Sequence, residues 1–396
     1  MSSRVKIADI CTRICSGGTP KSGVVEFYEN GKIPWLNTGE INFNRIRHTN
    51  SYITEAGLAS SSAKWISKNS ISIAMYGATA GKAAVVKIPL TTNQACCNLE
   101  VNESVADYRF VYYWLQSNYS KLANLANGGA QQNLSAKTIK ALEIDLPPMP
   151  IQRSVAEVLS QLDDKLELNN RLNDYLATLV DLEFSKQFSG SVSTTSLKNV
   201  LEISTKSLKP QQHAGETWEH YSIPAFDEMH WPIFELADGI KSNKYIVDRS
   251  SILISKLNPS IKRMWIPACL TDKAVCSTEF IVYKPLEPRH KSFYCAAINA
   301  ASFTAFLLEH VTGSTGSRQR AQPKATLDYP MPSPCRTAIE AFCDFADPIY
   351  RQIELNGIES QRLGSLRDAL LPKLMSGEID VSKVGLMQPN NHLSAG

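Results

Sequence analysis

No stretch of eighteen consecutive apolar residues occurs in the chain, so no membrane-spanning helix is expected. The opening MSSRVKIADI has no apolar signal core, which points to the cytoplasm. The nine cysteines are odd in number and scattered, with no CxxC pair and no HxxxH pair. That pattern argues against zinc and for thiols that are buried and reduced. GxxxxGK[ST] and GxGxxG are both missing, which removes the usual nucleotide cradles. There is no [DN]PP[FY] methyltransferase motif; Asn258-Pro259-Ser260 does not fit it. No acidic cluster has a two-metal spacing. The expectation is a non-enzyme with no catalytic residue, no metal and no cofactor bound by this chain.

One further absence organises the chain. Pro147, Pro148 and Pro150 punctuate the end of one region, and then neither proline nor glycine recurs until Gly190. Within that run Leu159, Leu162, Leu166, Asn169, Asn173, Leu176 and Val180 alternate in steps of three and four, the period of a helix with a packed seam. Within Pro147–Phe188, a helix over the proline-free run would be about 55 Å long, a spacer rather than an element of one domain. IELNG at 353–357 echoes LELNN at 166–170, an offset of 356 − 169 = 187. The same offset carries the seam onto Ala346, Ile349, Ile353, Asn356, Ser360 and Leu363. A second helix is therefore expected from about Ser333 to Leu371, behind Pro330, Pro332 and Pro334. An Asn at equivalent seam positions fixes register at some cost in stability.

The length of 396 residues accommodates two to three domains, and 43% apolar content fits ordered cores. Net charge is +3 but alternates along the chain. Residues 1–147 carry 15 basic and 10 acidic side chains, and 148–189 carry 4 and 7; residues 190–334 carry 16 and 13, and 335–396 carry 6 and 8. Two basic globular parts thus alternate with two acidic helical parts, a balance compatible with nucleic acid. The expected division is 1–147, globular; 148–189, central helix; 190–334, globular; 335–385, C-terminal helix; and 386–396, tail.

In the first globular part a strand-like VKIADICTRI leads into Ser16-Gly17-Gly18-Thr19-Pro20-Lys21. The glycines permit close backbone approach, and Lys21 could meet a phosphate; a tight turn is the plain alternative. KIPWLNTGEIN (32–42) reads as a short strand with Trp35 in the core, then a loop presenting Asn37, Thr38 and Glu40. SISIAMYGATAGKAAVV (70–86) reads as strand, glycine turn, strand, with Tyr76, Thr79 and Lys82 in the turn. Asn93 and Gln94 open another strand; amides of this type can read adenine in a major groove, and can equally cap turns. FVYYWLQSNYSKLANLA (110–126) reads as one aromatic-faced helix, followed by a polar loop containing Gln131.

The second globular part repeats this order. SSILISKLNPSIKRMWI (250–266) takes the place of SISIAMYGATAGKAAVV, with Lys256, Asn258, Lys262 and Arg263 in its turn. CSTEFIVYKP (276–285), with Thr278 and Glu279, takes the place of NQACCNLEVN. FYCAAINAASFTAFLLEHV (293–311) is the second aromatic-faced helix. GSTGSRQRAQPK, with Ser317, Arg318, Gln319 and Arg320, follows it. The offsets 252 − 71 = 181, 278 − 94 = 184 and 319 − 132 = 187 are nearly constant, which implies a tandem duplication.

Taken together, SGGTPK, IPWLNTGEIN, SISIAMYGATAGK, NGGAQQNLSAKTIKALEIDLPP and PIQRSVAEVLSQLDDKLELNNRLN resemble the specificity subunit of a type I restriction–modification system. LISKLNPSIKRMWIPA, CSTEFIVYKP, GSTGSRQRAQP and LRDALLPKLMSGEID carry the resemblance through the second half, to about residue 385. The second half lacks SGGTPK and the GATAGK turn, and so resembles a different family of recognition domain.

The resemblance implies an α+β fold of two tandem α/β target recognition domains separated by two long antiparallel coiled-coil helices, with pseudo-two-fold symmetry. Each domain would read one half of a bipartite double-stranded DNA site, and helix length would set the spacer. Two modification subunits would supply adenine methylation with S-adenosylmethionine, and restriction subunits would add ATP- and magnesium-dependent translocation and cleavage. The alternative of another class is a coiled-coil scaffold that touches no DNA. A self-sufficient restriction enzyme is a third reading, testable by incubating the chain alone with DNA.

Overall fold

The computed structural model describes residues 3–127, 134–313 and 319–381. Two continuous helices, Met149–Phe188 and Arg336–Ser376, run where the seam periodicity requires them. At 40 and 41 residues each is about 60 Å long. The C-terminal helix stops short of residue 385. Gly377 takes φ +77°, the left-handed conformation that ends helices and that glycine adopts without strain. The chain forms two compact units, Met1–Lys165 with the segment from Leu363, and Leu166–Arg362, so each unit contains part of both helices.

In the first unit, β1 (Ser3–Lys6) pairs antiparallel with β10 (Glu143–Leu146), so the unit's entry and exit strands are neighbours. The main sheet has the order β2-β9-β6-β7-β4, built from Cys11–Ser16, Cys96–Val101, Ile71–Ala74, Ala83–Val86 and Asn44–Ile46. β6 and β7 are buried at every residue; the polar residue of β6, Ser72, donates to Asn98 Oδ1 at 2.6 Å. A smaller sheet has the order β5-β3-β8 (Tyr52–Ile53, Ile33–Leu36, Thr91–Thr92), with β3 and β8 parallel.

The segment expected as one aromatic helix is two, Tyr108–Ser117 and Tyr119–Asn127. Asn118 interrupts it by turning its side-chain amide onto the Trp114 carbonyl at 2.9 Å, the local competition with helix that Asn offers. Phe110, Val111, Tyr112, Tyr113 and Leu115 are buried in one core with Val155, Ala156 and Leu159 of the central helix and Leu371 and Leu374 of the C-terminal helix.

The second unit repeats the connectivity. β11 (Thr194–Ser196) pairs with β23 (Pro330–Pro332), again joining entry to exit. The order β12-β20-β17-β18 (Leu201–Ser204, Phe280–Pro285, Ile252–Ser255, Met264–Trp265) matches β2-β9-β6-β7. β14 (Thr217–Tyr221) runs parallel to β19 (Ala274–Ser277), as β3 does to β8. The smaller sheet is wider here, ordered β13-β16-β19-β14-β15: β15 (Ile233–Leu236) takes the place of β5, and β13 (Ser207–Leu208) and β16 (Lys244–Ile246) are added. The second aromatic helix is also two, Lys291–Asn299 and Ala301–Glu309, because Ala300 is extended at ψ 149°. Phe184 and Phe188 of the central helix pack against Phe293 and Phe342 at centroid distances of 5.2 to 5.7 Å, three of the four pairs edge-on.

Within this unit the two long helices are antiparallel, and the seam contains a polar clasp. Asn356 donates to Asn173 Oδ1 at 2.8 Å, while Asn169 donates to Glu359 at 2.8 Å and to Ser360 at 3.2 Å. Asn169 and Asn356 are 1% and 5% exposed, so these hydrogen bonds specify one pairing of the helices. Of the nine cysteines five are buried, but Cys335 is exposed, contrary to the expectation of burial throughout.

Candidate nucleic-acid interface

In the first unit the expected loops converge at one end of the sheets. Thr19 bonds the Gln94 side-chain carbonyl. Asn93 donates to Asn37 Oδ1 at 3.1 Å, and Thr79 donates to the Thr38 carbonyl at 2.9 Å. Lys82 donates to Asn42 Oδ1 at 2.7 Å. Residues from four separate segments thus form one polar surface, with Thr19, Lys21, Tyr76 and Gln94 exposed on it.

Some of the candidates have other work. Gly17 and Gly18 are buried, and a Cβ there would overlap the Thr92 carbonyl or the Ala63 backbone nitrogen. They are glycines for packing. The Glu40 carboxylate accepts backbone N–H groups from Asn37 at 3.1 Å and Asn50 at 2.8 Å, so it closes the loop as a cap. Gln131 lies outside the described residues.

In the second unit the equivalent turns meet at the equivalent sheet end. Lys256 N–H donates to the Glu279 carbonyl at 2.9 Å, and the Lys256 carbonyl accepts from Ala321 at 2.9 Å. Asn258, left-handed at φ +47°, donates its N–H to the Gln319 carbonyl at 3.0 Å. The Arg320 guanidinium is forked onto Glu279 at 3.0 and 3.3 Å. Thr278, half-buried, lies in the same β19–β20 turn. Ser317 and Arg318 lie outside the described residues.

Two candidates leave this surface. Arg263 is buried and forked onto Asp227 at 2.6 and 2.9 Å, an internal ion pair that the sequence could not show because its partner lies 36 residues earlier. Lys262 donates to the Asn299 carbonyl, and the Asn299 amide in turn holds Asp181 of the central helix at 2.7 and 2.8 Å. Burial lowers the Lys262 pKa. Both residues brace the unit internally.

Sequence reasoning also missed an outward stripe on the central helix. Leu168, Leu172, Tyr175, Leu179 and Leu182 are 39% to 64% exposed and alternate in steps of four and three. The offset of 187 carries Leu168 onto Leu355 and Leu179 onto Leu366, which are 43% and 48% exposed. The signal was a second period on the helix, out of phase with the seam. Exposed apolar surface of this kind marks a protein contact.

Comparison with known proteins agrees with this architecture. Residues 2–178 match the family model described as type I restriction modification DNA specificity domain. The type I restriction enzyme MjaIX specificity subunit of Methanocaldococcus jannaschii is 25% identical, over 96% of this chain and 94% of its own length. The EcoR124I/EcoR124II specificity subunit of Escherichia coli is 29% identical over 43% of each chain. The crystal structure of a type I restriction–modification S subunit from M. genitalium shares the fold, with a TM-score of 0.59 at 18% identity, covering 94% of this chain and 96% of that one.

Proposed function

We infer, from the premise that this chain belongs to the type I restriction–modification specificity subunits, that it reads DNA for enzymes it does not itself contain. It is the non-catalytic recognition subunit, and each globular part reads one half of a split double-stranded site. One observation carries this reading. The β6–β7 and β8–β9 turns and the β17–β18 and β19–β20 turns occupy equivalent ends of one repeated topology, yet present different polar side chains. A scaffold alone has no use for two such surfaces, whereas a reader of two different half-sites does.

The base-reading set on this view is Thr19, Lys21, Asn37, Thr38, Tyr76, Thr79, Lys82, Asn93 and Gln94 in the first unit. In the second it is Lys256, Asn258, Thr278, Glu279, Gln319 and Arg320, with Gln131, Ser317 and Arg318 on the adjoining loops. The outward stripe of the central helix, with Leu355 and Leu366 at equivalent positions of the C-terminal helix, suits the docking of two modification subunits, with restriction subunits joining the complex. S-adenosylmethionine would belong to the modification subunit, and ATP and magnesium to the restriction subunit. Among the described residues no helix is long and apolar enough to cross a membrane, which fits work in the cytoplasm.

The test is methylation mapping in cells carrying this chain and its neighbouring modification subunit. The expected result is a split motif, two short specified halves around a fixed gap. Replacing residues 1–147 by those of a relative should change one half only. Expression and association of both proteins without any motif would favour the scaffold.

A further inference from the structure

Strands β4 and β7 leave the first unit's loop cluster side by side, and their far ends carry a second feature. Ile46 is in register with Val86, and Lys87 N–H donates to the Ile46 carbonyl at 2.8 Å, so Arg47 and Lys87 leave the sheet together. Asn69, at φ +70°, donates its N–H to the Val86 carbonyl at 2.7 Å and so brings Lys68 to the same edge. Arg45 underlies the cluster, bonded to Asp164 and to the Ser160 carbonyl at 3.2 Å.

The Lys87 ammonium is half-buried, 3.1 Å from the Tyr108 hydroxyl and 3.4 Å from Asn69 Oδ1. Burial first, and then Arg45, Arg47 and Lys68, push its pKa down to about 8, while Asp164, which Arg45 also engages, opposes them. Crowding cations around a desolvated lysine costs stability. Arrangements of that kind collect where a ligand of opposite charge is to be held.

We propose that Lys68 and Lys87 form a phosphate site that grips the DNA backbone beside the half-site read by the first unit. This rests on the function inferred above. Five residue steps along β7 carry the chain from Lys82, which holds Asn42, to Lys87, about 17 Å. A major groove is about 12 Å wide. Loops seated in the groove therefore leave the cluster beyond its edge, over phosphates.

The experiment uses the complex with its modification subunit and a duplex carrying the mapped motif, titrated between 50 and 200 mM salt. Each lost phosphate contact lowers the log–log salt slope by about 0.9. Lys68→Gln with Lys87→Met should lower it by about 1.8, which shrinks the fall in affinity over that range about 12-fold. The motif should not change, because phosphate contacts position and do not specify. Lys87→Arg should keep the wild-type slope, and Lys68→Gln alone, at an exposed position, should show half the effect. An unchanged slope in a complex that still selects its motif overturns the site. So does an altered motif, or a loss of the modification subunit at unchanged slope. A wild-type complex with no motif preference refutes the function reading itself, and this site with it.

Discussion

Gly357 sits inside the C-terminal helix, where glycine is about 1 kcal/mol worse than alanine. The reason it is there is Trp231. A Cβ on Gly357 would overlap Cζ3 of that indole and lie 2.6 Å from Cε3 and 3.1 Å from Cη2. The ring fills the notch that the missing side chain leaves. Two terms of opposite sign therefore act on Gly357→Ala. Helix propensity favours it by about 1 kcal/mol, and overpacking against the ring opposes it by about 1 to 3 kcal/mol. The substitution should be neutral or destabilising by up to about 2 kcal/mol. In a Trp231→Ala background the clash is gone, and the same change should stabilise by about 1 kcal/mol. For a unit spanning Leu166–Arg362, 1 kcal/mol corresponds to about 2–4 °C in Tm. Thermal unfolding of the four proteins of this cycle reads the coupling directly. Equal shifts in both backgrounds would refute the notch.

Three other perturbations separate structural roles from reading roles. Asp227→Ala strands the buried Arg263 guanidinium and should cost about 3–5 kcal/mol by urea unfolding; a small cost would return Arg263 to the surface candidates. The folded-state pKa of Lys87, about 8, lies below its ordinary 10.5, so between those values the unfolded chain holds the extra proton and stability should rise with pH. Lys87→Met should abolish that rise, measured by denaturant unfolding from pH 7.5 to 10.5 with Arg45, Arg47, Lys68 and Asp164 intact; parallel profiles for the two proteins would contradict the assignment. One heptad inserted at matched points of both long helices preserves the seam and adds about 10.5 Å, about three base-pair steps of 3.4 Å. The mapped gap should lengthen with both halves kept. Binding should weaken, because three base pairs turn the DNA about 100° and a heptad turns the helix only about 20°. A fixed gap would mean that the helices are not the ruler.

What could be read from the chain followed from local periodicity and order. The long helices announce themselves by spacing and by the lack of proline and glycine, and Asn169 and Asn356 mark the seam by their shared offset. The convergence of Asn37, Thr79 and Asn93 was legible as three polar turns between apolar strands, though not as one hydrogen-bonded surface. What escaped depends on distant partners. Gly17 is fixed by Thr92, and Arg263 by Asp227. The breaks at Asn118 and Ala300 escaped because the apolar pattern continues through both, and a single side-chain hydrogen bond or one extended residue ends the helix.

The ribbons β1–β10 and β11–β23 have a consequence for how such chains change over generations. Each holds the two ends of a unit's globular part about 4.8 Å apart, so a foreign segment of any internal design can be inserted between them provided its own ends meet. At the level of the gene, one crossover in each flanking stretch would exchange a whole reading head and leave the helices and their seam uninterrupted. The dissimilar turns on the two copies of this topology are what a history of such exchanges would leave behind.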